Sequence, residues 1–227
     1  MAYSGSGGAY YRANNSVPDS AGLRNLYTVH CFVQASASPS TANYQVVGGF
    51  VGGDLFPQRP QEWIYWNHMT PTFTKSMIHR DGSGNYTQAQ IASTPSANTW
   101  HSIAGLFDGS NERIYLNGAL EGVGASAATS AASQCYIGVM AQMTFAGALE
   151  VSSNFAIGQV AEFAVWNVNL TADEIVSLSK GFRANRIRPD RLIEYFPMVR
   201  TLSGLKGISL LNQAGTDVVT DHPRVIG

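Results

Sequence analysis

The chain is poor in charge, in cysteine and in helical repeat. Only 13% of its 227 residues are Asp, Glu, Lys or Arg, and the formal net charge is −1. A general nucleic-acid binder needs a dominating basic surface to displace counterions from phosphates, and this balance argues against one. The 2 cysteines, Cys31 and Cys135, supply neither a disulfide framework nor a metal quartet. They lie in the apolar runs "YTVHCFVQ" and "QCYIGVM" and read as buried reduced thiols acting as small apolar side chains. No uninterrupted apolar run approaches the roughly 20 residues that cross a bilayer, so membrane insertion is not expected. The opening "MAYSGSGGAYYRANNS" has neither the basic start nor the apolar core of a secretory signal, which points to a soluble protein made in the cytoplasm.

Chemistry-bearing motifs are equally scarce. His30, His68, His79, His101 and His222 lack the short spacings of a zinc site. There is no G-x-S-x-G elbow and no phosphate loop. "GGFVGGD" is glycine-rich, but no helix follows to aim amides at a phosphate, and it reads as a bend between strands. Neither a metal nor a cofactor is expected.

What the sequence does contain is a series of short β-rich runs separated by Gly, Ser, Asn and Pro clusters. The expected strands are 26–34, 44–51, 62–68, 75–80, 100–108, 113–116, 134–139 and 155–167, a spacing that indicates an all-β sandwich or jelly roll. "FDGSNERIYLNGALEG" holds two turn dipeptides, Asp108-Gly109 and Asn117-Gly118. Between them, Ile114 and Leu116 fall on one face and Tyr115 on the other, as a meander edge. "GVGASAATSAASQ" reads as a surface loop. One helix is expected near 171–181. Thr171 and Glu174 form a capping box, Gly181 supplies the stop, and Ile175 and Leu178 face the sheet.

Charge shifts after this helix. Residues 171–227 hold 8 basic and 6 acidic side chains, against 6 and 9 before them. The expected division is a sandwich over residues 1–199, helix included, and a C-terminal extension over 200–227 that either packs along it or reaches a neighbour. "KGFRANRIRPDR" concentrates Arg183, Arg186, Arg188 and Arg191. One reading is a solvated connector whose arginines pair with acids such as Asp190 and Glu194. The other is a surface docking a particle or sister subunit, favoured by the excess of 11 Arg over 3 Lys.

Three stretches in order, "LYTVHCFVQ", "NTWHSIAGLFDGSNERIYLNGALEG" and "FAIGQVAEFAVWNVNLTADEI", resemble laminin-G-like and pentraxin-like domains over roughly residues 26–181. The resemblance implies the concanavalin A-like jelly roll, two antiparallel sheets packed face to face. That superfamily holds lectins, adhesive modules and glucanases, so fold alone leaves function open. Pentraxins place calcium ligands just after the Ile-Gly that matches "CYIG". Here Val139, Met140, Ala141 and Gln142 follow, and calcium wants six to eight oxygens, several from carboxylates. The pentraxin disulfide partner of Cys31 would fall within "HSIAG", which has no cysteine.

Retaining glucanases need two carboxylates about 5 Å apart, commonly as Glu-x-Asp-x-Glu on one strand. No such triplet occurs in the chain. Regular alternation would give Glu162 the neighbours Val160, Ala164 and Trp166 on its face, with no second acid. Glu162 is therefore expected to be structural or solvated, and the protein not to be an enzyme.

Sugar rings stack on aromatic faces, which singles out "QRPQEWIYWNHMTP". Alternation sets Trp63 and Tyr65 on one side and Ile64 and Trp66 on the other, one side being core. Trp66 with His68 is the pair selected here for glycan contact. Finally, "RANRIRPDRLIEYFPM" and "DHPRVIG" resemble the tails of laminin-G-like proteins of tailed-bacteriophage virions. This implies a virion protein assembled in the host cytoplasm. Its partners would be capsid or other virion proteins, sister copies in a homo-oligomer, and a cell-surface glycan.

Overall fold

The computed structural model describes residues 2–5, 10–13, 17–18, 23, 26–35, 45–52, 61–68, 74–80, 86–93, 95–125, 134–139, 158–198, 202–213, 217–219, 223 and 225–226. The strands are β1 (Ala2–Gly5), β2 (Tyr10–Ala13), β3 (Val17–Pro18), β4 (Tyr27–Ala35), β5 (Gln45–Gly52), β6 (Gln61–His68), β7 (Thr74–Arg80) and β8 (Tyr86–Gln90). They continue with β9 (His101–Phe107), β10 (Asn111–Leu116), β11 (Ala119–Ala125), β12 (Gln134–Val139), β13 (Gly158–Trp166), β14 (Leu192–Phe196), β15 (Leu210–Gln213) and β16 (Asp217–Val219). Helix α1 (Ala172–Ser179) lies between β13 and β14.

These strands form two 8-stranded antiparallel sheets. Sheet A runs β11-β10-β9-β4-β13-β1-β16, with β14 also paired to β13. Sheet B runs β15-β2-β12-β5-β6-β7-β8, with β3 also paired to β12. The fold is the concanavalin A-like sandwich. Val29, Cys31, Val33, Ile103, Phe107, Phe163 and Val165 of sheet A bury against Val47, Phe50, Ile64 and Ile137 of sheet B. Tyr27 and Phe50 meet across the layers edge to face, with centroids 4.9 Å apart. Cys31 is a buried free thiol, pushed well above its ordinary pKa by desolvation.

A second apolar layer covers the outer face of sheet A. Ile175 and Leu178 of α1 pack on Ala104, Leu106, Tyr115, Ala164 and Trp166. The Trp166 Nε1 donates to the Ile187 carbonyl at 2.8 Å, so the largest buried ring keeps a polar partner. Covering both faces explains why β4 and β9 read as nearly unbroken apolar runs rather than alternating ones. The helix has the expected capping box, with Thr171 and Glu174 reciprocally bonded, and Gly181 follows at φ +89.

Both turns form where the sequence puts them. Asp108 accepts from the amides of Ser110 and Asn111 at 3.0 and 2.8 Å. Asn117 and Gly118 take φ of +51 and +87, as a two-residue hairpin requires.

Three sequence expectations need correction. "GGFVGGD" is not a bend, since Gly48 to Gly52 lie inside β5, and Gly48 to Val51 pair on both sides. "GVGASAATSAASQ" begins as strand, because Gly122 to Ala125 complete β11. A Cβ at Gly122 would sit 2.1 Å from the Gln90 carbonyl, so a residue without a side chain lets β11 lie against β8 of the other sheet. The remainder of that stretch lies outside the described residues.

The third correction concerns β13, whose alternation breaks. Ala161 pairs with Phe32 and Ala164 with His30, leaving Glu162 and Phe163 opposite Cys31 alone. This β-bulge puts Val160 and Phe163 in the inter-sheet core but Ala161, Ala164 and Trp166 on the outer face. Val160 and Ala164 therefore do not share a face.

The segment after residue 200 packs on the sandwich where it is described. β15 pairs with β2 at one edge of sheet B, and β16 with β1 at one edge of sheet A. Between β14 and β15 the chain turns back on itself, bridging Ser203 to Ser209.

Candidate functional site

Glu162 occupies the bulge at φ +54, a conformation that costs a side-chain-bearing residue on the order of 1 kcal/mol. Its neighbours hold it there. The Glu162 amide donates to the Pro197 carbonyl at 3.3 Å, and the Tyr195 hydroxyl donates to its carboxylate. Both side chains are buried, Glu162 at 3% exposure and Tyr195 at 1%. Burial, and then the neighbouring Glu162 charge, push the Tyr195 phenol well above its usual range. The acid is a buried strut of the outer layer, without a solvent-facing edge for a substrate.

His30 stands beside the bulge. Its Nε2 lies 3.0 Å from the Ser102 Oγ, the kind of contact that activates a nucleophile. Its surroundings oppose that use. Desolvation lowers its pKa to about 3, outweighing the Glu162 carbonyl, so the ring is neutral and a weak proton acceptor near pH 7. With His30 at 1% and Ser102 at 3% exposure, neither meets solvent.

The remaining contacts of this layer are architectural. Asn117 accepts from the Ser102 amide at 3.0 Å and reaches the His101 Nδ1 at 3.1 Å, while the His101 Nε2 meets the Ser96 carbonyl at 2.9 Å. A turn residue thus ties the β10–β11 hairpin to β9. Among the described residues, no group of three His, Cys, Asp or Glu converges as a metal cage would require. Met140, Ala141 and Gln142 lie outside the described residues.

Of the aromatic candidates, only the backbone of β6 and the side chain of Ile64 are described. Ile64 is fully buried in the core. The side chains of Trp63 and Tyr65 lie outside the described residues. The pairing of β6 with β7 shifts between Tyr65 and His68, so alternation does not carry through to Trp66 and His68, whose side chains lie outside the described residues.

The arginines spread along the chain that follows α1. Arg188 donates from Nε to Glu174 at 2.6 Å, and Arg191 lies 3.5 Å from Asp190. Partial burial of Glu174 would raise its pKa, but the Arg188 and Thr171 hydrogen bonds outweigh this and lower it. Arg183 and Arg186 are both exposed, and neither joins an ion pair among the described residues. Among the described residues Glu194 has no arginine partner, contrary to the sequence expectation. Fully buried, its carboxylate accepts from the amides of Tyr195, Lys206 and Ile208 at 2.8–2.9 Å and pins the 202–210 turn. Sequence reasoning missed this because three amide donors come from backbone brought together only by the fold.

The architecture is shared with solved proteins of low identity. A heptameric SAP-like pentraxin from Limulus polyphemus superposes with a TM-score of 0.61 at 11% identity, covering 95% of this chain and 92% of the pentraxin. Domain 4 of AbnA, an extracellular arabinanase from Geobacillus stearothermophilus solved with arabinotriose, gives 0.53 at 16% identity, covering 72% of this chain and 71% of that one. No curated protein matches the sequence. At such identities the likenesses establish the fold alone. The sequence itself matches the Laminin_G_3 model of the concanavalin A-like lectin/glucanases superfamily over residues 5–176, and the chain belongs to that family.

Proposed function

We propose that this lectin-like domain is a non-catalytic glycan-holding protein of a virus particle, anchored through its C-terminal part. The observation that carries the glycan reading is the aromatic-rich sequence of β6, with Trp63, Tyr65 and Trp66 on one strand of sheet B in a lectin-like fold. Trp66 and His68 complete the aromatic stretch. Flat aromatic surfaces suit the apolar faces of sugar rings. The burial of Glu162 under Tyr195 supports the non-catalytic part, since two-carboxylate hydrolysis needs a pair of acids open to substrate.

A glycan array probed with folded protein tests the reading. Binding is expected, and it should weaken in Trp63→Ala or in the double variant Trp66→Ala, His68→Ala. An array without hits would sink it. Release of reducing sugar from laminarin, lost in Glu162→Gln, would reinstate a glycosidase.

The particle role rests on the tail "RANRIRPDRLIEYFPM" and on the exposed Arg183, Arg186, Arg188 and Arg191. Purified protein should bind capsids that lack it. Undiminished binding by Arg183→Glu, Arg186→Glu would count against arginine docking. A second reading, a stand-alone carbohydrate-binding module, is favoured by the shared fold with the arabinanase domain solved with arabinotriose. Glycan binding without capsid binding would select it.

A further inference from the structure

We propose that the outer face of sheet A carries a peptide-acceptor groove, filled by the chain's own C-terminal residues, that accepts the same segment from a second copy. The rail of this groove is the extended chain after α1. The Ile226 amide donates to the Gly181 carbonyl at 2.5 Å, and the Arg183 amide donates to the Ile226 carbonyl at 3.2 Å. Ile226 thereby forms a parallel bridge with Phe182. The floor is apolar: Val225 packs with Trp100 against the buried Phe32 and Ala161. Pro223 is buried as well.

This is strand addition, in which main-chain bonds supply attachment and a pocket for an alternate side chain supplies selectivity. The occupant's chemistry is on view as a proline, an aliphatic residue two positions later, and one more residue whose amide and carbonyl both bond the rail. Ile226 remains 50% exposed and Phe182 45%, side by side, an apolar pair that a neighbouring molecule would cover. Nothing in the rail or floor distinguishes one copy's tail from another's, so exchange follows mass action. The inference gives a contact to the sequence expectation that the segment after residue 200 packs along the sandwich or reaches a neighbour, and it is independent of glycan binding.

The probe is a fluorescein-labelled peptide of residues 221–227, DHPRVIG, titrated by anisotropy. The receptors are a chain ending at residue 220 and a full-length Val225→Asp variant, whose own tail cannot enter the apolar floor. Saturable binding to both is expected, at least about tenfold tighter than to the unaltered chain, where the resident tail competes. Arg183 has φ −66, which proline matches, so Arg183→Pro in the Val225→Asp background removes one donor and little else. Peptide binding should fall about fivefold relative to Arg183→Ala in the same background.

If the truncated chain fails to fold, the full-length variant decides. No binding at about 1 mM peptide to a receptor with native near-ultraviolet dichroism would overturn the groove. Native mass spectrometry of the unaltered chain should show dimers that excess peptide dissolves. A chain monomeric at roughly 100 μM would overturn exchange between copies while leaving the glycan reading standing.

Discussion

The Tyr195 hydroxyl donates to the Glu162 carboxylate across the junction where β13 changes partners. Residues 158–160 of β13 pair with β1, and residues 163–166 pair with β14. The bulge falls between these two stretches, and the buried Tyr195–Glu162 bond fastens β14 to it. The one carboxylate of β13 thus sits where the strand changes its neighbour.

Tyr195→Phe deletes the hydroxyl donor and keeps the ring. Hydrogen bonds to charged groups contribute about 1.5–3 kcal/mol, so the urea unfolding free energy should drop by about 2 kcal/mol. Glu162→Gln should leave glycan retention unchanged. A variant that folds normally but loses retention would contradict the structural role.

Glu194 should be more sensitive than any exposed acid. Glutamine in its place puts an amide donor among three backbone donors, costing about 2 kcal/mol and loosening the 202–210 turn. Hydrogen exchange should rise at Lys206 and Ile208 ahead of the rest of the chain. Uniform exchange across the molecule would contradict the clamp.

Acid sensitivity should begin with His30. Its pKa falls from 6.5 to about 3 on folding, so the unfolded chain binds the proton more readily. The stabilising contribution is complete above pH 6.5 and is lost at about 1.4 kcal/mol per pH unit as pH falls toward 3. Between pH 6 and 5, above the ordinary carboxylate range, His30→Gln should flatten the slope of stability against pH. An unchanged slope would remove His30 as the cause.

Helix α1 offers a milder test. Thr171→Ala removes the side-chain acceptor for the Glu174 amide and should cost about 1 kcal/mol in chemical denaturation. Because Ile175 and Leu178 remain packed on sheet A, the far-ultraviolet spectrum should be unchanged.

Local signals were legible in the sequence where one stretch of chain carries the whole instruction. The Thr171–Glu174 box, the Asn117-Gly118 turn and the split of Ile114 and Leu116 from Tyr115 all took form as read. Strands β8 and β11 escaped notice because their residues are largely polar, small or glycine, and their pairing partners, not their composition, make them strands.

The sequence by itself determined an all-β sandwich with one capped helix, because alternation, turn dipeptides and caps act over a few residues. Only the tertiary structure decided the positions of Glu162, Glu194 and the chain's last residues. A bulge, a clamp of backbone amides and a bridge from Phe182 to Ile226 each depend on groups far apart in sequence, and their burial is fixed when both sheets and the helix close around them.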